Sequence, residues 1–446
     1  DFEKVFPEVM ASGGFDAIVG NPPYVRIQGR DEIETNYYVN NYKSATGNFD
    51  IYCLFLEKTI ELLNKTGIVG MIVPHRFFKV DYGNGIRNLI TEQKLLESII
   101  DFDGYMVFEK ASINTAIVIL NNLQRTEFDY LRIKNPSSKE NEIIELLKNP
   151  DNKLIPSEQG KISYNQLSTK PWSFIIHNEE KIWDKLNSIP DNLESVSNNI
   201  FQGLKTGSDG YYIADIIDEN TKYYICHFPD PDANYSIEKS LMFPLIKGGE
   251  IKKYIIKKSN KRILFPYTNG KLKSEEELQS KFPKAWNYLI EHKSFFYQRE
   301  NGKLKHAGWY GYTRTQALES IFLKKIITPE YYSEASFGID ETGEYMFCGG
   351  GAGGYAINLR DGISYYYILA LLNSKLLDWY LKKISMRAYQ TAFMYTKKYI
   401  SKLPIIIVGE ENNLFQSIEK VVSQMLTAKK QLQQAKTESD KNYLER

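Results

Sequence analysis

The sequence predicts an α/β chain: a sheet with crossover helices over residues 1–180, an α+β region over 181–408, and one long helix over 409–446. Short apolar runs alternate with helical periodicity up to about residue 125, and the texture turns polar and glycine-punctuated beyond it. The tail then keeps a single apolar stripe. At 446 residues the chain exceeds what one hydrophobic core can organise, so more than one domain is expected.

Phe15-Asp-Ala-Ile-Val-Gly20 is a short apolar run halted by Asn-Pro-Pro, the pattern of a buried parallel strand ending in a loop. From Asn48 to Lys65, apolar residues at 51, 54, 55, 56, 60, 62 and 63 keep helical spacing, and Gly67 stands where a helix C-terminus favours glycine. Ile68 to Val73 then reads as a second buried strand, closed by Pro74. Residues 84 to 96 predict a helix, followed by strands near 97–102 and 115–120. Between 125 and 195 the segments are polar and irregular, with loop signals such as Lys134-Asn-Pro-Ser-Ser138. From 200 to 405, mixed run lengths, recurrent glycine turns and aromatics among lysines predict a separate α+β domain. Leu414 to Leu444 predicts one amphipathic helix, which braces the two domains or meets a partner; intramolecular packing is the commoner use.

Composition narrows the class. Hydrophobic content of 42% and charged content of 25% describe a folded globular chain, and no apolar run approaches a membrane span. Cys53, Cys226 and Cys348 lie far apart without C-x-x-C spacing, which argues against a disulfide framework and a zinc site and fits a reducing cytoplasm; no metal is expected. A net charge of +1 conceals the stretch Lys247 to Arg262, where seven basic residues face the single acid Glu250. The chain starts at Asp1 with no signal segment, so a piece of a longer polypeptide is expected.

The chemistry centres on Asn21-Pro22-Pro23-Tyr24. An exocyclic adenine amine is a poor nucleophile because its lone pair is delocalised into the ring, so methylating it calls for two acceptors that hold its hydrogens. The Asn21 amide oxygen and the Pro22 carbonyl suit that role, with consecutive prolines fixing φ. Tyr24 offers a flat face to a base removed from its stack. A sulfonium methyl donor leaves as a neutral thioether, so no strong base is required. A plain rigid turn is the alternative, and the preceding strand favours the functional one.

These runs, with Gly47-Asn-Phe-Asp-Ile-Tyr-Cys-Leu-Phe-Leu-Glu57 and Gly67-Ile-Val-Gly-Met-Ile-Val-Pro74, resemble the gamma-class (TaqI-type) adenine-N6 DNA methyltransferases. More narrowly the chain is similar to type IIG restriction-modification enzymes, and phrases such as Leu371-Leu-Asn-Ser-Lys375 and Lys402-Leu-Pro404 extend the likeness over most of it. The resemblance implies an N-terminally truncated, Rossmann-like methyltransferase sheet followed by a target-recognition domain. It implies S-adenosylmethionine as cofactor, with Asn21 in a partial site, because the family's glycine-rich cofactor motif and any nuclease belong upstream of Asn21. Phe108, just ahead of the run Ala116 to Leu120, is the implied second aromatic against the flipped adenine; a core phenylalanine is its other reading. Asp50 and Tyr52 line the site or serve as helix cap and buried ring.

The remainder is expected to grip double-stranded DNA. Lys247, Lys252, Lys253, Lys257, Lys258, Lys261 and Arg262 suit phosphates. Arg299, Arg314 and Gln316 around Trp309-Tyr-Gly-Tyr312, with Gln202, Lys205, Arg387 and Gln390, are candidate base readers; solvated surface is the alternative for each. Two motifs are set aside. Gly349 to Gly354 is read as a mobile hairpin tip, since no helix follows as a nucleotide-binding turn requires. Pro229-Asp230 with Glu250-Ile-Lys252 matches a metal-dependent nuclease spacing that arises often by chance in a chain this charged. The competing functions are a non-catalytic DNA-binding specificity module, and methylation of RNA or of a protein glutamine.

Overall fold

The computed structural model describes residues 1–434 apart from 109–112, 135–136, 150–154, 169, 307, 351–352 and 389–390. The chain divides into two compact units, Asp1–Ser188 with Lys382–Phe393, and Ile189–Leu381 with Met394–Arg446. The first division thus falls at 188 rather than 180, a short late segment groups with the first unit, and the terminal helix groups with the second.

The first unit is built on a six-stranded sheet: β1 (Phe15–Gly20), β2 (Leu63–Pro74), β3 (Leu96–Asp101), β4 (Thr115–Asn121), β5 (Glu127–Ile133) and β6 (Ser157–Ser163), in the spatial order β1-β2-β4-β3-β5-β6. β1 runs parallel to β2, and β4 lies antiparallel between β2 and β3. The loops leaving β1, β2 and β3, and the loop entering β4, therefore emerge at one edge. Val69, Met71 and Val73 are buried on one face of β2, and Ile72 packs with Phe102 and Leu131 on the other.

Three expectations change here. β1, expected to be buried, is an edge strand whose Val19 is 86% exposed. Gly67 does not end a helix. Helix α1 (Tyr52–Leu62) runs directly into β2, and Gly67 lies inside that strand beside a register shift, where a Cβ would meet the Phe15 carbonyl oxygen at 2.6 Å. The stretch after 125 is not irregular, because β5 and β6 pair over seven positions from Glu127↔Ser163 to Ile133↔Ser157. Phe128 and Tyr130 are buried on one face of β5 and Leu131 and Ile133 on the other, and the charged residues among them obscure its period-two pattern. Gly14 sets the entry to β1: its φ is +116°, and a Cβ there would meet the Leu62 carbonyl oxygen at 2.5 Å.

The second unit holds two larger sheets, beside two-stranded ones. The six-stranded one orders β10 (Ala233–Glu238), β9 (Tyr223–Phe228), β8 (Ile213–Glu219), Lys261–Leu264, β11 (Met242–Ile246) and Met346–Phe347, antiparallel except for its last pair. The four-stranded one orders Gly338–Asp340, Lys325–Pro329, Gly354–Leu359 and β7 (Ser197–Gln202). Aromatics fill the core between strands and helices: Tyr212, Trp286, Tyr288, Phe296, Trp309 and Tyr312 form part of one cluster. Buried tyrosines need a partner for the hydroxyl, and here Tyr212 donates to Tyr310 O (2.8 Å), Tyr288 to Tyr211 O (2.7 Å) and Tyr312 to Leu264 O (2.7 Å). Helix α2 (Tyr365–Leu372) carries the terminal helix α3 (Asn413–Gln434), which buries Val422 and Leu426 and sets Phe415 against Tyr367 at 5.1 Å and 41°. Cys53, Cys226 and Cys348 are buried free thiols. Among the described residues no helix is long and apolar enough to cross a membrane.

Candidate active site

Asn21 follows β1 directly and is exposed at the strand's carboxyl end, while Pro22 is buried beneath it. Tyr24 turns back over the sheet, its hydroxyl donating to Ile72 O of β2 at 3.1 Å. Its ring meets two others edge-on, Tyr52 of α1 at 6.3 Å and 81°, and Phe108 at 6.3 Å and 62°. The structure thus brings Tyr24 and Phe108 together at the open edge beside Asn21. Phe108 arrives from the loop between β3 and β4, eighty-four positions from Tyr24 in sequence.

The loop after Tyr24 is stitched to the start of α1. Ile51 N donates to Val25 O (2.9 Å) and Ile27 N to Phe49 O (3.0 Å). Buried Glu57 accepts from the main-chain amides of Lys43 (2.9 Å) and Ser44 (2.7 Å), fixing the segment that lies over the helix. Asp50 stands just ahead of α1: its Oδ2 accepts from the Tyr82 hydroxyl (2.8 Å), whose oxygen lies 3.1 Å from that of Tyr52. Its Oδ1 is buried without a hydrogen-bond partner among the described residues, 4.0 Å from the Arg26 Nε. Burial pushes the Tyr24 phenol up to about 12, and burial likewise holds Tyr52 and Tyr82 far above the usual range. These hydroxyls stay neutral at physiological pH, so the three tyrosines present flat faces and neutral hydroxyls.

Tyr82 and Glu57 were not singled out from the sequence. The available signal for Glu57 was a carboxylate within a helix whose neighbours Cys53, Leu54 and Leu56 are all apolar. At the same edge stands a second group that the sequence did not reveal. His75 Nδ1 lies 3.0 Å from Asp101 Oδ1, and Tyr130 donates to Asp101 Oδ2 at 3.1 Å. Burial alone would raise the Asp101 carboxyl, but His75 and Arg132 outweigh it and hold the group well below the usual carboxylate range.

Beside Asn21 lies an apolar cleft of about 720 Å³, lined by residues that include Ile18, Val19, Pro22, Tyr38, Leu54 and Phe55. Phe55 is 44% exposed in it. Its lining contains Lys58 but no carboxylate.

The second unit sorts the DNA-contact candidates. Arg299 is buried, and its guanidinium donates to the carbonyls of Thr206 (3.0 Å), Trp309 (2.6 Å) and Gly311 (2.8 Å), so it is a strut rather than a base reader. Arg387 is also removed from that role, since it belongs to the first unit and forms a buried ion pair with Asp103. Gln202 donates to Glu330 at 2.9 Å. Gln390 lies outside the described residues. Lys205, Arg314, Gln316 and Gly349 line one cleft of about 570 Å³, with Gln316 Nε2 donating to Gly203 O at 2.9 Å. In the basic stretch Lys252 donates to the Tyr332 hydroxyl, Lys253 pairs with Glu334 (2.9 Å), Lys261 with Asp215 (2.7 Å), and Arg262 lies over the Tyr224 ring (5.6 Å). Lys247, Lys257 and Lys258 are exposed.

The two motifs set aside fall at turns and the ends of short strands. Glu250 accepts from Lys247 N at 2.6 Å, and among the described residues no three potential metal ligands gather. At the glycine run, Gly353 N donates to Gly350 O (2.7 Å) and Gly350 N to Glu330 (3.0 Å); residues 351–352 lie outside the description.

Residues 1–108 match the Eco57I restriction-modification methylase family, and residues 243–405 the TaqI-like C-terminal specificity domain. The chain is 30% identical over 405 residues to the type II restriction enzyme and methyltransferase RM.Eco57I of Escherichia coli, covering 85% of this chain and 39% of that protein. It is 23% identical over 335 residues to the type II methyltransferase M.BstVI of Geobacillus stearothermophilus, covering 71% of this chain and 54% of the relative. The chain thus spans between about two fifths and about half the length of these curated relatives. The solved structure of the type IIL restriction-modification enzyme MmeI in complex with DNA shares the fold, with a TM-score of 0.61 over 99% of this chain and 52% of that one, at 12% identity. With those two matched segments, the chain joins an Eco57I-type restriction-modification methylase domain to a TaqI-like C-terminal specificity domain.

Proposed function

We propose that the chain is the target-base and recognition portion of a site-specific DNA adenine-N6 methyltransferase of the type IIG restriction-modification kind. The observation that carries this reading is the convergence of Asn21, Tyr24 and Phe108 at one sheet edge, with the two rings 6.3 Å apart. The adenine enters beside these rings, which replace part of the stacking it loses on leaving the duplex. The Asn21 amide oxygen and the Pro22 carbonyl accept from the exocyclic amine and draw its lone pair toward nitrogen. The absence of an ionised base among Tyr24, Tyr52 and Tyr82 is compatible with this chemistry, since the amine loses its proton only as it gains the methyl group.

S-adenosylmethionine, when bound, supplies an electrophilic methyl group and a neutral thioether leaving group. The apolar cleft beside Asn21 suits its flat, uncharged portion, with Phe55 and Pro22 as the holding surfaces. No carboxylate in that cleft is placed for ribose hydroxyls, so the residues here fit part of the cofactor.

In the second unit, Lys247, Lys257 and Lys258 neutralise phosphates, and Lys205, Arg314 and Gln316 present donors to base edges from their shared cleft. That MmeI, which shares this fold, was solved with DNA supports the partner.

The test is tritiated methyl incorporation into duplex DNA by the full-length polypeptide. Incorporation at adenine N6 that Asn21→Ala abolishes is expected. Incorporation at another position, or an Asn21→Ala variant as active as its parent, would overturn the reading. Salt-dependent DNA binding without any incorporation would instead favour a specificity module.

A further inference from the structure

Arg387 lies in the late part of the sequence, yet the segment Lys382–Phe393 belongs to the first unit. Its guanidinium grips Asp103 in two places: Nε donates to Oδ1 at 2.5 Å, and a terminal nitrogen to Oδ2. Both side chains are about nine-tenths buried, at 9% and 10% exposure. The arginine also lies over an aromatic ring, its guanidinium 4.4 Å from the centre of Phe393, and its backbone is bridged to Phe393. The segment is anchored separately at Lys383, which is buried and donates to Glu158 (2.5 Å) and Glu179 (2.7 Å).

Asp103 opens the loop that carries Phe108. It takes a left-handed conformation, φ 48°, and its amide donates to Asp101 Oδ1 at 2.8 Å. Phe102 N donates to Thr115 O (3.2 Å) and Tyr105 N to Phe102 O (2.8 Å), so the chain leaves β3 through a tight turn. Tyr105 and Val107 pack against the cluster of Phe102 and Leu131, and the next residue is Phe108 against Tyr24. A left-handed non-glycine residue persists only where its surroundings over-determine it. Arg387 supplies the side-chain half of that constraint, and Asp101 the main-chain half.

We propose that Arg387 is a positioning residue for Phe108: through Asp103 it fixes the loop that presents the second stacking ring to the target base. The inference rests on the proposed methyl transfer. It makes a segment that follows most of the recognition region in sequence responsible for a surface of the base pocket.

The test is a double-mutant cycle on the full-length polypeptide with Arg387→Gln and Phe108→Ala, read by kcat, DNA affinity and the fluorescence of 2-aminopurine at the target position. Misplacing a contact group by about 1 Å costs up to roughly 100-fold. Arg387→Gln is therefore expected to lower kcat roughly 10- to 100-fold, to reduce the 2-aminopurine signal, and to leave DNA affinity within about twofold. In the Phe108→Ala background the same substitution is expected to cost little more, because the group it positions is gone. Arg387→Lys, which keeps the charge but not the fork, is expected to recover only part of the loss. Should Arg387→Gln fail to fold, Asp103→Asn serves in the same cycle. Fully multiplicative losses, or Arg387→Gln at the parental kcat, would overturn the positioning role while leaving the functional reading intact. A parent without Asn21-dependent methyl transfer would overturn that reading, and this inference with it.

Discussion

Replacing Tyr24 by Phe and by Ala separates what its hydroxyl does from what its ring does. The hydroxyl donates to Ile72 O at 3.1 Å, a hydrogen bond whose net loss costs about 1 kcal/mol of stability. Tyr24→Phe keeps the ring against Phe108 and Tyr52, so methyl transfer is expected to stay within about threefold of the parent, roughly 0.6 kcal/mol. Tyr24→Ala removes the stacking face, which is worth about 1–3 kcal/mol per base, or roughly 5- to 150-fold in kcat/KM. Its stability loss should stay below the ~3–5 kcal/mol of deleting a fully buried aromatic, because the ring is only partly buried. The assay is methyl incorporation into duplex DNA, with a urea melt of each variant to separate folding from chemistry. A Tyr24→Phe loss as large as that of Tyr24→Ala would show that the hydroxyl carries the effect. A folded Tyr24→Ala variant of parental activity would refute stacking altogether.

Four further outcomes follow from the same structure. Arg299→Met strands carbonyls that a buried guanidinium now satisfies, and is expected to destabilise the second unit by about 1–3 kcal/mol for each acceptor left unpaired; an unchanged urea midpoint by tryptophan fluorescence, with relaxed sequence selectivity, would restore it as a base reader. Lys257→Ala and Lys258→Ala should each lower the slope of log affinity against log salt by about 1, equally on all duplexes, and an unaltered slope would remove them from the phosphate contacts. Arg314→Ala should cost about 1–3 kcal/mol of discrimination at one base pair, whereas a uniform loss across sequences would assign it to the backbone. Burial pushes the phenols of Tyr24 and Tyr267 up to about 12, above their unfolded value of about 10. Their contribution is therefore complete below pH ~10 and disappears as pH rises toward 12; denaturation midpoints that hold level from pH 8 to 11.5 would contradict it.

Much of the candidate site was legible because it is local in sequence. Asn21 to Tyr24 follows a recognisable strand, and α1 keeps its apolar spacing over one short window. Phe108 was reachable only through resemblance, since nothing in residues 102–108 announces that their ring meets Tyr24. The polar support was not legible. Glu57, Tyr82 and Asp101 are common residue types whose meaning depends on hydrogen-bond partners brought from other elements. Arginines misled most: Arg299 and Arg387 have the composition of DNA contacts and the burial of structural struts. A guanidinium with five donors satisfies main-chain carbonyls or a carboxylate as readily as a base edge, and the sequence does not say which it meets.

The sequence by itself determined the alternation of strands and helices, the position of Asn-Pro-Pro-Tyr at a strand end, and the basic stretch from Lys247 to Arg262. Periodicity and turn chemistry act between residues a few positions apart, so one chain displays them without further help. Only the tertiary structure decided that β1 is an edge strand, that β5 and β6 extend the sheet, that Lys205, Arg314 and Gln316 share a cleft, and that Arg387 holds the loop bearing Phe108. Each of these depends on pairings between distant segments, where burial and the need to satisfy charge and hydrogen bonds select one partner among many that the residue types would accept.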